Sequence, residues 1–420
     1  LGPLGEALLF AILRLAQRPE TMLGLQLAML MLPYVIFVCA AALLGGILQV
    51  HRRFVATTLT SVLLNALMIV AIVLVTLRAD LGTDAGRRAA VWGQAASVLV
   101  AGAAQVLLLV PSLRASGFRV RFDGPVWTPD VRRMLRMTVP VALGLGVLQI
   151  GVMLDKQISF MMSPQSDGRT VGHFLGLSYA LPMAAGAVSR LDLAQYLYQF
   201  PLGVFGIAIA TAIFPQLSGD AHDADLTPFR NALSRGMVAS LFIGLPASAG
   251  MMIVALPAIR LLFEGHAFTY ADSLLTARST AIYSSVIWAF SVQQILNRGY
   301  YALHDMRTPL YWAAINLAIN LAVEVPLLWT LGEGAMAVGT VASFLVQTTV
   351  MTGLLARRVG LPMREFAAPA TKMLVATLGM TAACALVRWL PTWPASKPGH
   401  ALQLFAIMAI GGVAYFGLCA

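Results

Sequence analysis

Charge is what this sequence has least of. Only 11% of its 420 residues are Asp, Glu, Lys or Arg, against 59% apolar, whereas a soluble domain carries about a quarter charged. Mean hydropathy is +0.80. The scarcity excludes an ordinary water-soluble fold and makes the chain an integral membrane protein. Its net charge of +10 then reads as membrane orientation and contact with anionic headgroups, and no nucleic-acid partner is implied. Cysteine is scarce as well. Cys39, Cys384 and Cys419 lie apart in apolar segments, without disulfide or metal spacing, and read as small apolar filler. No Walker loop, HExxH or GxSxG occurs. Neither ATP hydrolysis nor common hydrolase chemistry is supported, and the chain is not read as an enzyme. Free energy for any work must come from the membrane potential or an ion gradient.

What the chain does have is apolar length. A helix of about 20 residues spans a bilayer core, and a partial segment (4–17) precedes eleven full candidates: 23–50, 55–77, 89–111, 134–162, 193–217, 232–257, 274–303, 309–331, 334–356, 367–390 and 401–420. Their continuity excludes β-barrel strands, which would alternate apolar and polar residues. The region 163–188, half polar loop and half short apolar run broken by Pro182, reads as a re-entrant or interfacial piece. The loops alternate in charge. One set carries sixteen Arg and Lys residues and the opposite set eleven, which places the first set in the cytoplasm. The chain opens at Leu1 without a signal peptide and ends inside an apolar run at Ala420; the expectation is that its front end is missing.

The stretch Ala194–Ser218 organises the rest. A polar mouth with Gln195, Tyr196, Tyr198 and Gln199 leads into Phe200-Pro201-Leu202-Gly203, then into small apolar residues. Pro201 removes a backbone hydrogen bond and marks a bend, and the small residues let another helix approach closely. Charges inside spans are costly and by default functional. Asp155 and Lys156 read either that way or as an internal pair with Lys156 snorkelling outward. Asn316, Asn320 and Glu324, at i, i+4 and i+8, share one helix face that should look into the bundle, where interhelical hydrogen bonding is the plainer role. Glu264, His266 and Asp272 fit no established metal motif and read as a solvated outer loop. A weak internal repeat pairs Gly46–His51 with Gly299–His304, each leading to a helix bearing an Asn, as in transporters built from repeated bundles.

Four segments carry a resemblance: LPYVIFVCAAALLGGILQVHRRF (32–54), QFPLGVFGIAIATAIFPQLS (199–218), RLLFEGHAFTYADS (260–273) and YYALHDMRTP (300–309). In sequence and in order they resemble the MurJ/MviN family of lipid II flippases, over nearly the whole chain apart from the insertion at 163–188. The resemblance implies an all-α polytopic membrane protein with two helical lobes around a central cavity, plus two C-terminal helices. It places the remainder of the N-terminal lobe at 1–111, a cytoplasmic inter-lobe linker at 112–133, the C-terminal lobe at 134–356, and a helix pair forming a lipid-tail groove at 367–420. The chain would start within the family's third helix.

The implied function is flipping of lipid II, the undecaprenyl-pyrophosphate-linked peptidoglycan precursor. It would cross the bacterial inner membrane by alternating access, with a monomer, lipid II and membrane lipids as the participants. The family's sodium site corresponds to Asp155, Asn316, Asn320 and Thr340, the second Asn replacing an Asp. All four offer oxygen to a hard monovalent coupling ion. Family members place an Arg where this chain has Tyr196, in the pattern Gln-Arg-Leu-Tyr-Gln. Tyr196 and Gln199 are therefore candidate substrate contacts without charge. Arg190, six residues earlier, reads as a substitute contact or an interfacial anchor, and Arg52 as a substrate contact or a topology determinant. Two rival functions stay open at this point. One is a related exporter of another lipid-linked oligosaccharide or a cationic drug, which an aromatic, acidic cavity would favour. The other is a non-transporting scaffold derived from a flippase.

Overall fold

A computed structural model describes residues 19–50, 53–78, 80, 82–117, 127–164, 170–174, 177–221, 225–265, 267–361, 363–389 and 396–419. The segment 4–17 and residues His51, Arg52 and His266 lie outside the described residues. The chain divides into two compact units, Leu1–Thr128 and Pro129–Ala420. In hydrocarbon no water is available to backbone amides and carbonyls, so long apolar runs close their hydrogen bonds internally as helices. Among the described residues nine helices are long and apolar enough to cross a membrane. The expected all-helical polytopic class is the class observed.

The first unit contains α1 (Pro19–Met31), α2 (Tyr34–Val50), α3 (Phe54–Arg78) and α4 (Asp84–Ala115). The single helix expected over 23–50 is interrupted at Leu32–Pro33. The proline has no N–H to give, and Val35 N bonds Leu32 O at 3.1 Å to resume the turn. Helices α2 and α3 pack on α4 around Leu48, Leu109 and Leu113. A buried amide ties the three together: Gln105 accepts from Tyr34 at 3.4 Å and donates to the Thr60 carbonyl at 3.1 Å. Large apolar side chains such as Ile36 and Leu77 stand 70% and 77% exposed, the outward-facing pattern that a lipid solvent favours and water penalises.

The second unit contains α5 (Pro129–Met161), the strands β1 (Val171–Phe174) and β2 (Leu177–Ala180), α6 (Ala187–Pro201), α7 (Ile207–Asp220), α8 (Thr227–Leu262), α9 (Tyr270–Ser284), α10 (Ile287–Ala302), α11 (Arg307–Leu331), α12 (Gly334–Val359), α13 (Met363–Trp389) and α14 (Lys397–Cys419). Phe229 and Leu233 of α8, Ile295 and Leu296 of α10 and Met351 and Leu355 of α12 form one core. Helices α13 and α14 pack on each other and on α8, around Met380, Cys384 and Tyr415. The Tyr415 hydroxyl donates to the Phe242 carbonyl at 2.7 Å.

Three features of this unit differ from, or add detail to, the sequence expectation. Within 163–188 the described residues 171–174 and 177–180 form an antiparallel strand pair, with Val171 opposite Ala180 and Phe174 opposite Leu177. The apolar half of the segment is too short to span, and pairing satisfies the backbone instead. A Cβ at Gly172 would lie 2.6 Å from the Tyr179 ring, so glycine lets that ring cover the pair, and the ring meets Trp329 of α11 edge-on at 6.2 Å. The expected helix 274–303 is two helices. The break at Ser285–Val286 leaves Trp288 N without a helical partner, and the Ser248 hydroxyl of α8 accepts it at 3.1 Å. Gly244 makes the approach feasible, since a Cβ there would sit 2.7 Å from Trp288 Cα. At Pro201 the helix passes into a π-helical turn, Leu202–Gly206, before α7 resumes. The widened turn directly follows Pro201, a residue that cannot donate.

Candidate functional site

Tyr198 and Gln199 occupy the last turn of α6, just before the π-helical turn. Tyr198 points into the unit and stacks on Tyr283 of α9 at 5.0 Å and on Phe290 of α10 at 5.6 Å. Phe290 in turn meets Phe344 of α12 at 3.9 Å between ring centroids. These rings line a cavity of about 220 Å³. Its polar lining is Asp155 from α5, Gln195 and Gln199 from α6, Asn316 and Asn320 from α11, and Thr340 from α12, beside the small or apolar Gly151, Val152, Ala313 and Leu317. Four residues singled out by sequence as oxygen donors therefore share one cavity. Asn316 and Asn320 look into the unit, as their spacing required.

The polar atoms here are incompletely satisfied. Asn320 Nδ2 donates to Thr340 Oγ1 at 3.2 Å, and Thr340 donates to the Met336 carbonyl at 3.1 Å. Asp155 Oδ1, Asn320 Oδ1 and Asn316 Nδ2 are buried with no protein partner. Glu324, one turn beyond Asn320 and fully buried, leaves both carboxylate oxygens unpaired. A buried polar group without a partner costs about 1–3 kcal/mol, and unpaired oxygens around a cavity suit a cation, which the donor set fits. Lys156 does not supply it. Its ammonium pairs with Asp192 at 3.1 Å, so the internal Asp155–Lys156 pair considered from sequence does not form.

Gly339 sets the distance between α11 and α12 at this level. A Cβ there would lie 2.9 Å from Glu324 Cβ and 3.0 Å from the Asn320 carbonyl. Gly339→Ala is expected to push Thr340 away from Asn320 and to destabilise the protein by about 1–3 kcal/mol, the usual range for overpacking. Gly353 of the same helix has nothing within 4 Å, so Gly353→Ala should be neutral or slightly stabilising. Equilibrium unfolding of both variants in mixed micelles checks the contrast.

Arg190, read from sequence as a substitute substrate contact or an interfacial anchor, is not in the cavity lining. It is buried at the start of α6. Nε bonds both Glu333 oxygens at 3.0 and 3.1 Å, and Nη2 bonds Glu333 and the Ala184 carbonyl. Nη1 bonds Asp272 and the Ala185 carbonyl, each at 2.7 Å. All five N–H donors of the guanidinium are committed, so none is free for a pyrophosphate in this structure. The arginine is a strut joining α6, the α9 start and the α11–α12 turn. Asp272 also closes a capping box with Thr269, and Glu264 pairs with Arg260 at 2.8 Å. Tyr196 is 66% exposed and is not part of the cavity wall. Glu333, Tyr283, Phe290 and Phe344 were not found from sequence. Glu333 sits in a turn with no motif, and the three rings belong to apolar runs whose spacing shows only that they are helical.

A family profile described as "Lipid II flippase MurJ" matches residues 4–397. The chain belongs to the MurJ family. Relatives named as probable MurJ lipid II flippases include those of Rhizobium meliloti, 28% identical over 93% of this chain and 69% of the relative, and of Vibrio cholerae, 28% identical over 92% and 69%. The fold matches that of a lipid II flippase MurJ in an inward closed conformation, with TM-score 0.71 at 17% identity, covering 98% of this chain and 80% of that one. It also matches an inward-facing multidrug resistance MATE transporter, with TM-score 0.66 at 15% identity over 86% and 76%. MurJ membership and the nine spans make this a multi-pass protein of the bacterial inner membrane. The MurJ match runs through the strand pair, so the insertion lies inside the family domain and does not end it.

Proposed function

We propose that this protein flips lipid II from the inner to the outer leaflet of the cytoplasmic membrane, as a monomer without catalytic chemistry. The observation that carries the reading is the family match across residues 4–397. A pyrophosphate-linked sugar-peptide head cannot cross hydrocarbon unaided, because its charges and hydrogen-bonding groups would lose water. Access alternating between the two sides of the membrane would supply substitute contacts, while the polyprenyl tail stays in lipid beside the 367–420 pair. Moving one charge through 100 mV is worth roughly 2.3 kcal/mol, enough to bias such a cycle.

The cavity of the second unit holds one carboxylate and no cationic side chain, so an anion is disfavoured there. Tyr196 and Gln199, both exposed and one turn apart on α6, are neutral and suit hydroxyl groups of the head; Arg52 remains the charged candidate for the pyrophosphate. Asp155, Asn316, Asn320 and Thr340 would hold a sodium ion, whose charge would compensate the buried carboxylate. The functional reading is tested by complementation. The full-length gene is expected to restore growth to a bacterium depleted of its own flippase. Failure with good membrane expression would favour an exporter of different cargo or a scaffold.

A further inference from the structure

We infer that the cavity of the second unit also binds a small organic ammonium ion, one with N–H donors and an apolar body, in competition with a metal cation. This rests on reading the cavity as a cation site and adds a ligand class to it.

Size argues first. A cavity of about 150 Å³ takes up benzene, and this one is about 220 Å³, more than a single metal ion fills. Charge argues next. Asp155 is the one formally charged residue in the lining, and the neighbouring Lys156 is turned to Asp192. The lining also offers two chemistries. Asp155, Asn316, Asn320 and Thr340 come from α5, α11 and α12, while Tyr198, Tyr283 and Phe290 come from α6, α9 and α10 and are held as a stack, with Gln195 and Gln199 of α6 beside them. Aromatic walls attract cations through the ring quadrupole and accept apolar groups at the same time. Finally, Asp155 Oδ1 and Asn320 Oδ1 lack donors. A primary ammonium brings three N–H groups, and its apolar body can cover the ring wall; a bare metal ion brings neither.

The test uses the full chain purified in lipid nanodiscs, with 2-phenylethylammonium as probe and the neutral 2-phenylethanol as its isostere. Thermal unfolding is followed in sodium-free buffer and again with sodium added. A saturable upward shift is expected with the ammonium and not with the alcohol. Sodium should raise the half-saturating concentration at least tenfold, and Asp155→Asn should lose the shift. An equal response to the alcohol overturns the proposal without needing any variant to fold. A sodium response with no ammonium response also overturns it but leaves the metal-cation reading standing. Silence towards both removes the two together.

Discussion

Glu333→Ala is expected to lower the stability of the second unit by about 3–5 kcal/mol, the cost of leaving one member of a buried ion pair unpaired. The side chains of Arg190 and Glu333 are each only 4% exposed, so after the substitution the guanidinium keeps its burial and loses its main counter-charge. Asp272, 24% exposed, can compensate in part. The strut ties together three chain segments that are distant in sequence, and the loss should therefore appear as a change in unfolding of the whole unit. Replacing both partners, Arg190→Leu with Glu333→Leu, should recover most of the deficit, because no buried charge is then left over. Equilibrium unfolding in mixed micelles reads both. A Glu333→Ala protein as stable as the parent would show that the pair is solvated and dispensable.

The same cluster predicts an acid limit. The hydroxyl and backbone amide of Thr269, joined by Arg190 and opposed by partial burial, hold the Asp272 carboxyl below its ordinary value of 3.8. A carboxylate with a depressed folded-state value contributes stability that is full above the unfolded value and lost as pH falls through the folded one. The contribution should therefore persist down to about pH 4 and fade below it, and Asp272→Asn should lack that fading.

How much of this was legible before the structure depends on the kind of signal. Apolar length alone gave the helical class, because hydrocarbon leaves the backbone no other way to pair. The i, i+4, i+8 spacing of Asn316, Asn320 and Glu324 gave their common inward face, because helical geometry is local. The break at Ser285–Val286 was not legible. Its run is apolar enough to continue as a helix, and the compensating groups, Ser248 and Gly244, lie some forty residues away on α8. The partners of Arg190 were not legible for the same reason, since they are at positions 272 and 333. The strand pair 171–174 and 177–180 was not legible either: the segment is too short and broken to span, which marked it as a re-entrant or interfacial piece without showing how its backbone pairs.

Asp155→Asn is expected to abolish stabilisation by sodium. For a ligand that binds only the folded state, stability rises as RT ln(1 + [L]/Kd), about 2.7 kcal/mol at one hundred times Kd. The parent protein should show that rise with added sodium, and the variant none, because Asp155 is the one formal negative charge in the cavity wall. The other donors are neutral dipoles. Their oxygen atoms can coordinate but cannot offset the desolvation of an ion. The variant also makes a second prediction. Without sodium it should be at least as stable as the parent, since Asp155 Oδ1 is buried with no partner and a neutral amide is cheaper to bury than a lone carboxylate. Asn320→Asp moves the other way. A second carboxylate, four residues from the buried Glu324 on the same helix, should cost stability in the absence of cation. It should also tighten sodium binding by at least about tenfold, since an added charge at contact distance outweighs an amide dipole. The two substitutions thus move sodium-free stability and sodium affinity in opposite directions. A purely structural role for these residues gives no such pattern: it would lower stability in both variants and leave the sodium increment of each equal to that of the parent.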